Sequence, residues 1–550
     1  MRPLTPLLAL GCRLTLTLLF AVLAAPVFAR GEVTGSVGES IYRRGVLGSG
    51  APLEASREPS LLAAGAEVAC VNCHQRSGLG GKEGRRLIPP LAGRYLFRAR
   101  ASASDDNDLM FVDGMRGERE PYTEATLARA IREGIDSEGR PLDVLMPRFA
   151  LNDTDMASLI SYLKDLTPRK LPGVTDTVLH FATIITPEAD PVKADGMLDV
   201  LEHYFADKNA FPIGATPRLR SSRKMMFMAN RHWQLHVWRL TGPPAGWPEQ
   251  LERHLASEPV LAVVSGQGGA TWAPIQSFCE QRALPCLFPN AEAPPADADR
   301  DFYSLYFSKG VLLEAGLIAN RIREGNQGKV VKVVRQIYRA GDSGEVGARA
   351  LAAALEHDGI TMRSHALARN ALGQGVAETL RKSAGTDALV LWLRPGDIAR
   401  LGKPPDASTV VFMSGQIGGL ERSPLPPGWR DVIRVAYPFD LPSQRRVRVD
   451  FARGWFAIRH IPVVDEQVQA DTYLACGLLA EALSHMADTF VRDYLVERIV
   501  DLLEHRVITG YYPRLALAAG QRFASKGGYI VRFSSAAGSD IFPEASWIRP

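Results

Sequence analysis

The chain has 550 residues, 46% hydrophobic and 23% charged, with a formal net charge of +4. That length exceeds one ordinary domain, and the composition is that of folded globular protein, which excludes a disordered or collagen-like chain. So small a charge on so long a chain also gives no reason to expect nucleic acid or an anionic membrane surface as partner.

Residues 1–29 read as an export signal. Arg2 and Arg13 supply positive charge, an apolar run from Leu14 to Val27 follows, and Val27-Phe28-Ala29 offers a small-residue cleavage site before Arg30. An uncleaved anchor is the alternative. Ala9-Leu10-Gly11-Cys12 lacks the usual leucine three places before the cysteine of a lipoprotein signal, and no later stretch gives about 18 uninterrupted apolar residues. The expectation is a periplasmic protein, cleaved near Ala29, with no transmembrane segment afterwards.

In chain order, Ser40–Gly45 predicts the entry to a first helix, and the Ala-rich run Leu61–Val68 predicts a helix that delivers Cys70. Cys70-Val71-Asn72-Cys73-His74 is then C-x-x-C-H, the attachment signature of a c-type haem. Two thiols add to the two porphyrin vinyl groups, and the adjacent histidine reaches the iron. A zinc knuckle or a redox C-x-x-C pair competes for the cysteines, but neither requires that histidine. Gly78, Gly80 and Gly81 open a loop where backbone must come close to a cofactor edge. A ligating histidine needs an acceptor for its second nitrogen, and the Pro89 carbonyl is the candidate, unless Pro89 merely makes a turn. Glu124–Glu133 predicts a short amphipathic helix stopped by Gly134. Met146, in an irregular loop before Pro147, is the candidate sixth ligand, with Met110 and Met115 as competitors. Asn152 and Asp153 cap a helix with apolar Met156, Leu159, Ile160, Leu163 and Leu166.

This order resembles the class I cytochromes c: a helix with C-x-x-C-H, a Pro-x-Leu-x-Gly turn at Pro89–Gly93, a Met-Pro loop and a last helix. The resemblance implies an all-α monohaem domain over residues 30–166. In it Cys70 and Cys73 hold one covalent haem c, His74 and Met146 ligate iron, and Pro89 orients His74. Arg98–Glu118, acidic at Asp105, Asp106 and Asp108, reads as an insertion.

Residues 167–175, with Pro168, Pro172 and Gly173, read as a linker loose enough only to tether. Residues 176–550 then alternate strand and helix. Strands are predicted at Val178–Ile185, His232–Arg239, Val260–Val264, Leu284–Phe288, Val330–Tyr338, Leu389–Leu393 and Val410–Met413. Helices are predicted at Met197–Phe205 and Pro248–Leu255, through Ile275 and Phe278, up to Leu355, and from Asp471 to about Leu495. Cys279 and Cys286, with six residues between them across one short connection in an oxidising compartment, are a candidate disulfide. Cys476 is expected as a buried free thiol. The Met-rich basic segment Arg218–Arg231 reads as a solvated face, with docking of an acidic partner as the sharper reading.

Leu261–Gly269 with Leu284–Pro294, the Tyr306–Gly310 crossover and the Asp471–Ala480 helix resemble the type I periplasmic binding proteins of branched-chain amino-acid ABC transporters. The resemblance implies two Rossmann-like α/β lobes, one near 176–307 with 442–508 and the other near 308–441 with 509–550. Ligands of such sheets bind beyond the carboxyl ends of the strands. The implied cleft candidates are Gly268, Gly269, Ala270, Thr271, Asn290, Glu292, Tyr338, Asp342, Arg394 and Gln416. An acid there would repel an amino-acid carboxylate. The functional expectation is an exported, non-enzymatic electron carrier whose second domain recognises a small solute or docks a redox partner, such as a quinoprotein alcohol dehydrogenase. The alternative is the solute-binding component of an ABC importer with an accessory cytochrome.

Overall fold

The computed structural model describes residues 36–550 apart from 59–60, 84–85, 98–119, 167–170, 211–230, 326–329, 370–374, 382–384, 407, 487–488, 506–509, 519 and 536–537. The export signal, the insertion with Met110 and Met115, and all of 218–231 except Arg231 lie outside the described residues.

Helices Val37–Arg44, Glu124–Glu133 and Asp153–Asp165 frame the N-terminal region. Ser36, Thr123 and Asn152 cap them by accepting backbone N–H groups of the first turn. Gly45 and Gly134 end the first two in the left-handed conformation. Their apolar faces meet in one core, with Tyr42, Leu127, Ile131, Met156 and Leu159 at its centre. The all-α expectation is corrected here. Leu61–Ala64 is a strand, paired antiparallel with Glu54–Glu58, which pairs in turn with Arg148–Ala150. Only Gly65–Val68 forms a 3-10 turn. Alanine's helix preference amounts to roughly 0.7 kcal/mol per residue or less, which tertiary pairing readily overrides. A hairpin of Gly81–Glu83 and Arg86–Ile88 adds a second small sheet.

From Leu171 onward the chain forms two α/β lobes. The first sheet runs Asn290–Ala291, Gln267–Gly268, Val178–Ile185, Ala262–Val264, Cys286–Leu287, Ser304–Leu305, with His232–Arg239 also paired to Val178–Ile185. Every one of these pairs is parallel. The second sheet runs Thr361–Leu367, Val333–Arg339, Ala388–Trp392, Val410–Ser414, Ile433–Tyr437, Tyr529–Phe533, Ile541–Pro543. Its first five strands are parallel and the last two antiparallel. Ala388–Trp392 and Val410–Ser414 are buried at every position, as strands covered on both faces must be.

The chain crosses between lobes at Tyr306–Phe307, at Asp440 and again between Tyr511 and Ser525. These passages are stitched together: Ala524 and Ser525 donate to the Tyr306 and Phe307 carbonyls at 2.9 and 2.7 Å, and Asp440 donates to the Tyr511 carbonyl at 2.8 Å. The single helix expected over 471–495 is two, Glu466–Met486 and Arg492–His505, with Thr489 and Phe490 buried between them. The described part of the linker is not loose. Val174 bridges to Leu179, His180 donates to the Gly173 carbonyl at 2.9 Å, and a Cβ on Gly173 would lie 2.2 Å from the Val260 backbone.

Candidate functional site

Two constellations carry chemistry. The first is the C-x-x-C-H turn. Cys70 caps the one-turn helix Val71–His74, whose His74 amide donates to the Cys70 carbonyl at 2.9 Å. Asn72 ties the turn back to the Ala66 and Glu67 carbonyls. His74 is buried, and its Nδ1 lies 2.9 Å from the Pro89 carbonyl oxygen. A carbonyl can only accept, so Nδ1 carries the proton and the lone pair of the neutral ring sits on Nε2. Burial lowers the His74 pKa to about 4, which keeps the ring neutral, and raises that of the Cys70 thiol to about 12. The loop glycines are steric requirements. Gly80 has φ +72°, and a Cβ there would lie 2.1 Å from the Ile88 carbonyl, next to Pro89. Met146 sits at a turn closed by its own amide on Asp143, and it borders the same apolar cluster as Cys70, Val71 and Leu91. Among the described residues no group of three or more His, Cys, Asp or Glu is placed to hold a metal ion.

The segment after His74 docks on the first lobe. The Ser77 amide donates to Glu497 at 2.9 Å, and Gln75, with its amide turned to suit its neighbours, donates to the other Glu497 oxygen at 3.1 Å. Asp493 pairs with Arg43 and Arg76, each at 3.5 Å, and accepts from the Tyr303 hydroxyl. Arg76 lies 4.6 Å over the Phe302 ring, and Arg94 donates to Thr489 at 2.9 Å. Leu79 and Ala92 enter the same buried cluster as Leu495, Val496 and Ile499. Burial raises the Glu497 pKa to about 8. Sequence reading gave no hint of this interface, whose partners are some 420 positions apart.

The second constellation lies between the lobes. Glu292 of the first lobe is gripped by Arg394 of the second through two bonds of 3.0 and 2.7 Å, and it accepts from Ser343 Oγ at 2.5 Å. Arg394 also bonds twice to Asp342, at 2.9 and 2.6 Å. Burial opposes the Glu292 charge, yet the adjacent guanidinium holds its pKa below the ordinary value. Beside this cluster is a cavity of about 30 Å³, lined in part by Asn290, Glu292, Gln416, Gln267, Lys193, Gln467, Asp471 and Tyr512. Of the cleft candidates, Asn290, Glu292 and Gln416 line it, and Asp342 and Arg394 join it through Glu292. Gly269 instead packs toward Glu188, Thr271 Oγ1 accepts from the Ala273 amide, and Tyr338 packs on the second-lobe core. Sequence reasoning missed Gln267, Asp471 and Tyr512. The available signal was an acid inside the apolar run Ala470–Ala475, which helix geometry buries.

The two cysteines of the expected disulfide, Cys279 and Cys286, are buried side by side as thiols within one apolar cluster. Cys476 is also a buried free thiol. No described helix is long and apolar enough to cross a membrane.

No protein-family model matches the chain, and no curated protein does. Solved structures share its α/β part. A fatty acid ABC transporter substrate-binding protein from Thermomonospora curvata is 15% identical over 70% of this chain and 96% of its own, with TM-score 0.49. The leucine binding protein LivK of Thermotoga maritima is 12% identical over 68% and 99%, with TM-score 0.49. LivJ of Streptococcus pneumoniae, in complex with isoleucine, is 12% identical over 68% and 100%, with TM-score 0.48. With these TM-scores below 0.5, the two-lobed α/β architecture rests on the strand orders above rather than on the likeness.

Proposed function

We propose that this chain is an exported solute-binding protein of the ABC-importer type, with an accessory haem c domain docked on its first lobe. One observation carries the solute reading: a polar cavity between the lobes, lined by Asn290, Glu292 and Gln416 at strand ends and by Gln267, Asp471 and Tyr512 beside them. The names of the similar solved structures are consistent with that class.

A second reading, that the chain carries single electrons to a periplasmic partner, is favoured by the His74–Pro89 contact. Cys70 and Cys73 would hold the haem covalently, and His74 Nε2 and Met146 would be its axial ligands. Bound there, the haem would supply one-electron exchange. Pro89 fixes the His74 tautomer, and the apolar cluster limits water at Met146. A quinoprotein alcohol dehydrogenase is one candidate donor.

The test uses the full chain, exported with haem-attachment machinery. Expected are a covalent haem lost in Cys70→Ala/Cys73→Ala, and a thermal shift with at least one small solute that survives in that variant. Failure of every solute would reject the importer reading and leave the electron carrier.

A further inference from the structure

We infer that Gln75 is a positioning residue for His74, held with the help of the first lobe in a backbone conformation that glycine alone adopts freely. The inference rests on the accessory-haem reading for the group that His74 would bind, and it is independent of the solute reading. Gln75 ends the one-turn helix Val71–His74 with φ 61° and ψ 173°. That is not the usual left-handed cap. His460, which ends helix Pro442–Arg459 with φ 57° and ψ 31°, shows the usual one. Positive φ with extended ψ belongs essentially to glycine, and another residue stays there only where its surroundings over-determine it.

The surroundings do so from three sides. The Gln75 carbonyl accepts from the Tyr42 hydroxyl at 2.7 Å and from the Gly78 amide at 3.3 Å. Its turned side-chain amide donates to Glu497 Oε2 at 3.1 Å and to the Gly80 carbonyl at 3.3 Å. Glu497 Oε1 holds the same loop through the Ser77 amide at 2.9 Å. A Cβ on Gly81 would lie 2.9 Å from the Gln75 side-chain amide, so glycine there makes room for it. Tyr42 belongs to the buried core of the N-terminal region, whereas Glu497 comes from helix Arg492–His505 of the first lobe.

The turn at Gln75 sets the direction of the chain after His74. It brings Gly80 back, so that its amide donates to the His74 carbonyl at 3.1 Å. It also places the Gly78 carbonyl to accept from the Leu91 and Ala92 amides at 2.7 and 3.3 Å. Those amides anchor the chain just after Pro89, whose carbonyl oxygen lies 2.9 Å from His74 Nδ1. Relaxing Gln75 would therefore draw the Pro89 carbonyl off the ring. An acceptor on the far nitrogen makes a ligating histidine more basic. A more basic ligand favours oxidised iron, so losing that acceptor should raise the midpoint.

The experiment sets Gln75→Ala against Gln75→Gly in the full chain. Both remove the side-chain clamp, but glycine also removes the strain. In the haem-free background Cys70→Ala/Cys73→Ala, NMR of isotope-labelled histidine should show the hydrogen-bonded His74 Nδ1–H with Gln75→Gly and not with Gln75→Ala. The unfolding constant in urea should be larger for alanine than for glycine by about fivefold or more. In the haem-bearing chain, Gln75→Ala should shift the redox equilibrium by about threefold, which is about 28 mV upward at about 59 mV per tenfold. Gln75→Gly should restore the wild-type midpoint. Should Gln75→Ala fold poorly, Glu497→Ala removes the clamp from the first lobe instead, and adding Gln75→Gly should undo its effects. Equal effects of alanine and glycine on the His74 signal, or no effect of either, would overturn the inference. A wild-type chain that attaches no haem would strike the haem reading alone, because the haem-free measurements decide the role of Gln75 without it.

Discussion

Arg394→Met isolates the ion-pair cluster between the lobes. The guanidinium makes four bonds of 2.6–3.0 Å, two to Glu292 and two to Asp342. Its removal leaves the buried Glu292 carboxylate with Ser343 Oγ as its hydrogen-bond donor. Removing one partner of a buried pair costs roughly 3–5 kcal/mol. Arg394 retains some solvent contact, so the lower end, about 3 kcal/mol, is the expectation. The sign with pH follows from the depressed Glu292 pKa. That group contributes stability above its unfolded value of about 4.3, lost as pH falls through the folded value. The difference between wild type and variant should therefore be largest at pH 7 and smaller by about pH 4, because burial without the guanidinium raises the Glu292 pKa in the variant and protonates it well before the wild type's. Urea unfolding followed by tryptophan fluorescence measures it, since Trp392 packs under the helix that begins at Ser343. Glu292→Gln/Arg394→Met should recover much of the loss, because no buried charge is left unpaired. A loss under about 1 kcal/mol at pH 7, or one equal at both pH values, would refute the argument.

If Met146 is the sixth ligand, the oxidised protein should show the weak near-infrared sulfur-to-iron charge-transfer band, and Met146→Ala should remove it and lower the potential. Retention of the band in that variant, with loss in Met110→Ala, would reassign the ligand. Thiol labelling of denatured, unreduced haem-bearing protein should find three reactive cysteines, Cys279, Cys286 and Cys476. Finding one would mean that the adjacent pair oxidises in the cell.

Where a segment's fate was decided locally, the sequence was readable. Val178–Ile185, His232–Arg239 and Glu124–Glu133 form with the bounds their patterning predicts, and Asn152 caps as its position requires. Leu61–Ala64 was not readable, because a partner strand outweighs alanine's weak helix preference. The long helix was misread because no Gly or Pro marks the buried stop at Thr489–Phe490. In the cleft, Glu292, Asp342, Arg394 and Gln416 were legible as residues at strand ends. Their mutual engagement was not, since it joins positions 102 apart. Tyr512 reaches Asp471 from a crossover that strand patterning cannot register.

The docked interface changes the expectation for how the two parts work together. A tether raises local concentration and leaves each site alone. Here Gln75 and Ser77, directly after His74, are bound to Glu497 on helix Arg492–His505, which packs on the helix carrying Asp471. Adjacency is not coupling. Coupling requires that the solute favour one of two arrangements, and that the haem site distinguish them. The geometry supplies what a tether lacks: a direct contact at the residues that follow His74 in the chain. A coupling of about 1–3 kcal/mol is typical. For a one-electron couple about 1.4 kcal/mol corresponds to roughly 59 mV, so redox titration with saturating solute should move the midpoint by tens of millivolts. Glu497→Ala removes both oxygens that accept from Ser77 and Gln75, and should shrink that shift while leaving solute affinity in place. A midpoint unchanged by solute in the wild-type chain would return the N-terminal domain to the role of a passenger, docked on the first lobe but deaf to the cleft.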